Sequence, residues 1–201
     1  MMKVNIKYVM FFFVVVYVII GIKNSDWFNL KCVIADKNGK KYCIRDRDNI
    51  NKAANLLASC VENMKKLVDH MDKKYSEDER VDRLVNGFNP NKISETLPNS
   101  QHTAYSENKG EKLAFCLNMK KSNKKLIDLN TLTFVAIHEL SHIMTISIGH
   151  KQDFWDNMAF LLKNAVEIQI YEPVDYESNP QPYCGDTITN NPYYDRDVTD
   201  E

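Results

Sequence analysis

The stretch Asn130-Thr131-Leu132-Thr133-Phe134-Val135-Ala136-Ile137-His138-Glu139-Leu140-Ser141-His142-Ile143-Met144-Thr145-Ile146 decides how this chain is read. Its apolar residues cover nearly the whole circumference of a helix, and such a helix has to be buried. Asp128 or Asn130 can cap its start, and Ser147-Ile148-Gly149 supplies the stop. Inside it His138, Glu139 and His142 stand out as polar, in the pattern HExxH. Two His four residues apart lie on one helical face, so both rings can reach one zinc ion at about 2.0–2.1 Å. Glu139 lies about 100° round the helix from His138, where it can address a metal-bound water without ligating. Left idle in so apolar a helix, these groups would cost on the order of several kcal/mol in lost hydration, and ligation removes that cost.

The next His is His150, in Gly149-His150-Lys151-Gln152-Asp153-Phe154-Trp155. On an unbroken helix it would stand about 12 Å beyond His142, so it can share the metal only if the chain turns back. Gly149 permits that turn. Glu167, on the following helix, is the alternative third ligand. His70 falls on the polar side of a helix and His102 in a loop, and both read as solvated. Asp128, Asp153 and Glu167 are carboxylates able to orient a ligand His, although surface positions suit each. Cys184 could supply a thiolate near the site, but reads rather as a small buried residue.

Around this centre the chain divides into short elements. Leu56, Cys60, Met64, Leu67 and Met71 recur at steps of three and four, predicting an amphipathic helix over 51–75. A short helix is expected over 78–87 and another over 154–170. Cys32 to Arg45 reads as a hairpin turning at Asn38-Gly39, and Thr103–Tyr105 with Lys112–Asn118 as a second. Residues 89–100 read as an irregular connection, and the tail from Pro173 takes any order from packing back onto the domain.

Lys plus Arg number 26 and Asp plus Glu 27, a net charge of -1, so no basic field is available for nucleic acid and none is expected as a partner. At 201 residues the chain suits one domain, taken as 25–201, after an N-terminal segment of 1–24. Residues 8–22 are uncharged and apolar, with Lys3 and Lys7 before them and Lys23 after. Fifteen helical residues cover about 22 Å against about 30 Å of hydrocarbon, so an anchor needs snorkelling flanks or a thinned bilayer. A cleaved signal sequence is the rival reading, but no A-x-A-like site follows. The Lys distribution weakly favours a cytosolic N-terminus and a translocated domain. Five Cys without a CxxC pair argue against both a zinc ribbon and a complete disulfide framework, and fit a reducing compartment. A two-residue turn at Asn38-Gly39 would set Ile34, not Cys32, opposite Cys43.

The segment His138–His142, with Gly149-His150 and Phe154-Trp155, resembles the zincin superfamily, and within it the WLM and SprT-like (Spartan) metalloproteases. Together with the apolar run, Tyr42-Cys43-Ile44-Arg45-Asp46 and Tyr183-Cys184-Gly185, it also resembles uncharacterised metalloprotease-like proteins of large DNA viruses. Seven residues separate His142 from His150, more than is usual in WLM proteins, and no DNA-binding appendix is present, so the family's substrates do not carry over. The resemblance implies an α+β fold, a small, mostly antiparallel sheet packed on a central zinc-binding helix. It further implies a zinc-dependent endopeptidase, with Zn2+ held by His138, His142 and His150, and Glu139 as general base for hydrolysis of a protein or peptide substrate. Lys112–Leu117 is the strand expected to hold that substrate at the sheet edge. The alternative is a single-pass, membrane-anchored structural or scaffolding protein of the same fold without turnover.

Overall fold

The computed structural model describes residues 6–23, 30–98, 100–120 and 125–195. In chain order the elements are helix α1 (Ile6–Lys23), strands β1 (Leu30–Ile34) and β2 (Lys41–Arg45), and helices α2 (Ile50–Lys74) and α3 (Glu79–Gly87). Strands β3 (Ile93–Glu95), β4 (Ala104–Glu107) and β5 (Lys112–Phe115) follow, then helices α4 (Leu129–Met144) and α5 (Gln152–Glu167), and strands β6 (Gln181–Tyr183) and β7 (Asp186–Ile188). The class is α+β.

Helix α4 forms the centre because it is apolar all round and must be covered on every side. Helices α2, α3 and α5 pack against it, and β4 closes a further flank. From Thr131 to Met144 only His138 and His142 escape full burial. Helix α2 behaves differently, burying Leu57, Cys60, Met64, Leu67 and Met71 along one stripe.

The sheet differs in detail from expectation. Strand β5 is the middle of a three-stranded unit ordered β3-β5-β4, parallel to β3 and antiparallel to β4. Lys112–Leu117 therefore does not supply the edge, and β4 does. The reading of 89–100 as irregular missed β3, three residues long, which bonds to β5 through Leu113 N–H to the Lys92 carbonyl (3.0 Å) and Thr96 N–H to the Phe115 carbonyl (3.0 Å). Strand β2 lies beside β3, where the Arg45 amide donates to Glu95 Oε2 at 2.8 Å and the Arg47 guanidinium pairs with Glu95 Oε1.

The cysteine expectation is overturned. Cys32 is bonded to Cys43 and Cys116 to Cys184, leaving Cys60 as a buried free thiol. The odd count concealed two pairs and one core residue. The first pair escaped because the hairpin loop has four residues, Asp36 to Gly39, closed by Ala35 N–H to the Lys40 carbonyl, with Gly39 at φ 68. That loop sets Cys32 directly across from Cys43. The second pair fixes the tail, where β6 and β7 form a hairpin and Cys184 and Gly185 donate to the carbonyls of Asn118 (2.9 Å) and Met119 (3.1 Å).

Helix α1 has 18 residues, about 27 Å at the helical rise. Its apolar side chains, Phe11, Phe12, Phe13 and Ile20 among them, are exposed. Among the described residues no helix is long and apolar enough to cross a membrane. The 24/25 boundary, Lys3 and the region of a signal-sequence cut near 23–27 lie outside the described residues, apart from Lys23 itself.

Candidate metal centre

Asp128 starts α4, its carboxylate accepting from the Thr131 amide (2.8 Å) and hydroxyl (2.7 Å). Four residues apart on the one open strip of this helix, His138 and His142 face the same space. After Met144 the chain leaves the helix, turns at Gly149 (φ 82) and enters α5 at Gln152. Two hydrogen bonds tie the turn to α5, from the Ser147 hydroxyl to Asp153 (2.7 Å) and from Asn157 to the Thr145 hydroxyl (2.8 Å). The turn brings His150 back. Its Nε2 lies 3.1 Å from Nε2 of His138 and 3.1 Å from Nε2 of His142. The ring of the buried Phe154 packs against all three imidazoles, with centroids 4.4 to 4.8 Å away.

Three nitrogens held about 2.0–2.1 Å from a tetrahedral ion stand about 3.3 Å apart, so the observed spacing fits one zinc ion. The chemistry of the donors agrees. Burial, and then the neighbouring imidazoles, push His138 down to about 3, while burial, His150 and Lys109 push His142 down to about 4. Both rings are therefore neutral at pH 7, with lone pairs available for a cation. Glu139 is 5% exposed, and burial alone pushes its carboxyl up to about 8. A nearby divalent cation would draw that value down again.

Glu167, the alternative ligand, is at the far end of α5, exposed and accepting from Lys74 Nζ at 2.5 Å. The chain does not bring it to the three His. Asp128 and Asp153 are engaged in the cap and the turn described above, and neither contacts a ligand ring. His70 pairs with Asn164 (3.1 Å) away from the centre.

No protein-family model and no solved structure matches this chain. Its relatives are viral. Over 158 residues it is 28% identical to the uncharacterised protein R325 of Acanthamoeba polyphaga mimivirus, covering 76% of this chain and 79% of that protein. It is 34% identical over 89 residues to the uncharacterised protein 042R of Invertebrate iridescent virus 3, covering 44% of this chain and 52% of the relative. The matched 77 residues of protein 136R of Invertebrate iridescent virus 6 are 31% identical, covering 37% of this chain and 41% of the relative. The match spans only about half, or less, of the two iridescent-virus proteins.

The three imidazoles and Glu139 open into a cavity of about 800 Å³. Strand β4 forms one wall and the segment from Asp186 to Asn190 another, with Phe134, Val135, Trp155 and Met158 supplying apolar lining. The Cys116 amide donates to the Thr103 carbonyl at 2.8 Å, so strand alternation turns the main-chain groups of Ala104 and Ser106 away from β5. The second wall was not anticipated from sequence. Next to it the cavity is lined by the buried Tyr183, whose hydroxyl donates to the Thr103 carbonyl (3.1 Å) and whose phenol is pushed well up by burial, with the Glu139 charge adding to the effect. The Tyr183-Cys184-Gly185 segment was the available signal. His102, read as solvated, is exposed but lies on the cavity rim, edge-on to Tyr105.

Proposed function

We propose that this chain is a zinc-dependent metalloendopeptidase with His138, His142 and His150 as zinc ligands and Glu139 as general base. The observation carrying this reading is the convergence of three imidazole Nε2 atoms, with that of His150 3.1 Å from each of the other two, beside the buried Glu139 in an open cavity. When bound, zinc supplies an acidified water and a Lewis-acid contact to a scissile carbonyl. The Glu139 carboxylate takes the proton of that water and returns it to the leaving amine. Strand β4 offers the outward main-chain groups of Ala104 and Ser106 to an extended peptide, which the apolar lining shields from bulk water. A central HExxH helix with an edge strand beside it is a zincin-like arrangement.

A site with only a structural task would fill its fourth position with Cys or His and would have no use for Glu139. Elemental analysis of the purified chain is the test. One equivalent of zinc is expected in the wild type and little in His142→Ala. A full equivalent in that variant would refute the ligand assignment.

We further propose that α1 remains attached and holds the domain to a membrane. Its exposed apolar residues support this, provided the flanking Lys snorkel across the small shortfall in length. Two disulfides favour an oxidising compartment for the domain, and the Lys bias points to the same side. The protein should resist alkaline carbonate extraction, and mature protein in the soluble fraction would overturn the anchor.

A further inference from the structure

Among the described residues, His150 is the one member of the cluster that does not sit on a helix. Its position depends on how the chain leaves α4, and a helix end has carbonyls with no partner of their own. Two cations meet them here. Arg83 Nε donates to the Met144 carbonyl at 3.1 Å. Lys109 Nζ donates to the carbonyls of His142 (3.2 Å), Thr145 (2.7 Å) and Ser147 (3.3 Å). An ammonium group has three N–H donors, and all three are engaged.

Those three carbonyls span the last turn of α4 and the first half of the turn that ends at His150. Gathering them about one point sets the direction in which the chain departs, and Gly149 then completes the reversal. The negative end of the helix dipole favours a cation at the same spot.

The backbone around Lys109 is arranged for this contact. Asn108 (φ 47) and Lys109 (φ 54) both occupy the left-handed region, which non-glycine residues rarely enter. Surroundings have to hold such residues in place, and they recur where function demands a particular geometry. Gly110 (φ 104) provides the hold. A Cβ there would stand 2.3 Å from the Gly87 carbonyl oxygen and 2.7 Å from Ile143, and a Cβ on Gly87 would stand 2.5 Å from Ile143. Glycine at both positions lets the turn sit against α3 and α4 at once, and that seating brings the Lys109 side chain to the end of α4.

We infer that Lys109 is a positioning residue for the metal centre, fixing the turn that carries His150 so that the third imidazole is in place before metal arrives. This rests on the zinc reading above. Loss of a group that orients a metal ligand typically weakens metal affinity about 10- to 100-fold.

The test is competitive zinc titration of the full chain in five forms: wild type, Lys109→Met, Lys109→Gln, His150→Ala and Lys109→Met/His150→Ala. Circular dichroism of each form reports whether the helices persist. The Met variant should bind zinc about 10- to 100-fold more weakly. The Gln variant, which keeps two N–H donors without the charge, should fall between it and wild type, and it carries the test should the Met variant not fold. The double variant should bind no more weakly than His150→Ala alone, because Lys109 acts through His150. Cobalt(II) absorption, which follows coordination geometry, should shift in the Met variant towards the His150→Ala spectrum. Wild-type affinity and spectrum in both Lys109 variants would overturn the assignment, as would losses that multiply in the double variant. A wild-type chain that binds no zinc would overturn the metal centre itself, a result distinguishable from either of these.

Discussion

Helices α2 and α4 both carry histidine, and the difference between them separates packing from chemistry. Along its 25 residues α2 buries one stripe and gives the other to solvent, so its polar residues need no special account. His70 sits on the border of that stripe and has the Asn164 amide as partner. Helix α4 is enclosed, so each polar residue on it requires a compensating interaction. Thr131 and Ser141 find theirs in Asp128 and in the Ile137 carbonyl. Among the described residues His138 and His142 meet only the His150 ring at hydrogen-bonding distance, and burial alone pushes the Glu139 carboxyl up to about 8. An amphipathic helix explains its polar residues by its surface, whereas in a buried one those left uncompensated mark the site.

The strongest attempt to break this contrast is Glu139→Gln. If the carboxylate moves protons and does not ligate, turnover of a peptide substrate should fall about 10²- to 10⁴-fold. Zinc content should stay at one equivalent, and the melting temperature should not drop, since an amide is cheaper to bury than a carboxylate. Unchanged peptide cleavage would remove Glu139 from the mechanism.

How much of this was legible in sequence follows the range of the forces involved. The burial of α4 and the shared face of His138 and His142 are local consequences of helical periodicity, so they could be read directly. So could the reversal at Gly149, because the left-handed conformation there suits glycine. Strand order could not. Nothing within Lys112–Phe115 says that Ile93–Glu95 pairs on its far side, so sequence alone points to β5 as the edge that β4 supplies. The Cys32–Cys43 pair was missed by two residues of loop length. The tail hairpin has two strands of three residues each, and its order comes from a disulfide and backbone bonds to segments more than sixty positions earlier. Nothing in the sequence around Lys109 announces its partners, the carbonyls at the end of α4 and just beyond it, because they are 33 to 38 positions away.

Acid sensitivity of the metal-free protein sharpens the same contrast. The folded values of His138 (about 3) and His142 (about 4) lie below the usual 6.5, so between about 6.5 and 3 the unfolded chain binds protons that the folded chain refuses. Stability from these rings is complete above about 6.5 and is lost on acidification through that window. Glu139 works in the opposite direction. Its folded value of about 8 exceeds the usual 4.5, so the folded chain keeps a proton that the unfolded chain releases, and stability declines as pH rises from about 4.5 to 8. Together the three groups place the maximum near pH 6.5. Urea unfolding of chelator-treated protein across pH 5 to 8 would reveal it, and Glu139→Gln should flatten the alkaline side. A decline on that side as steep in the variant as in wild type would remove Glu139 as its source.

The smallest effect is expected from His70→Ala, the matched change on the other helix. It deletes the 3.1 Å contact with Asn164 Oδ1 and a 4.0 Å approach to Glu167, which Lys74 continues to hold. Asn164 is buried, but its amide nitrogen still donates to the Phe160 carbonyl at 2.9 Å, and water can reach the vacated oxygen because His70 is only half-buried. The loss should therefore stay within the net value of one hydrogen bond, about 0.5–1.5 kcal/mol, seen as a drop of a few degrees in melting temperature. Zinc content and turnover should not change, because neither His70 nor Asn164 lines the cavity. If His70→Ala instead lowered zinc content as His142→Ala is expected to, α2 would have to be counted part of the metal site, and solvent would no longer suffice to explain its histidine.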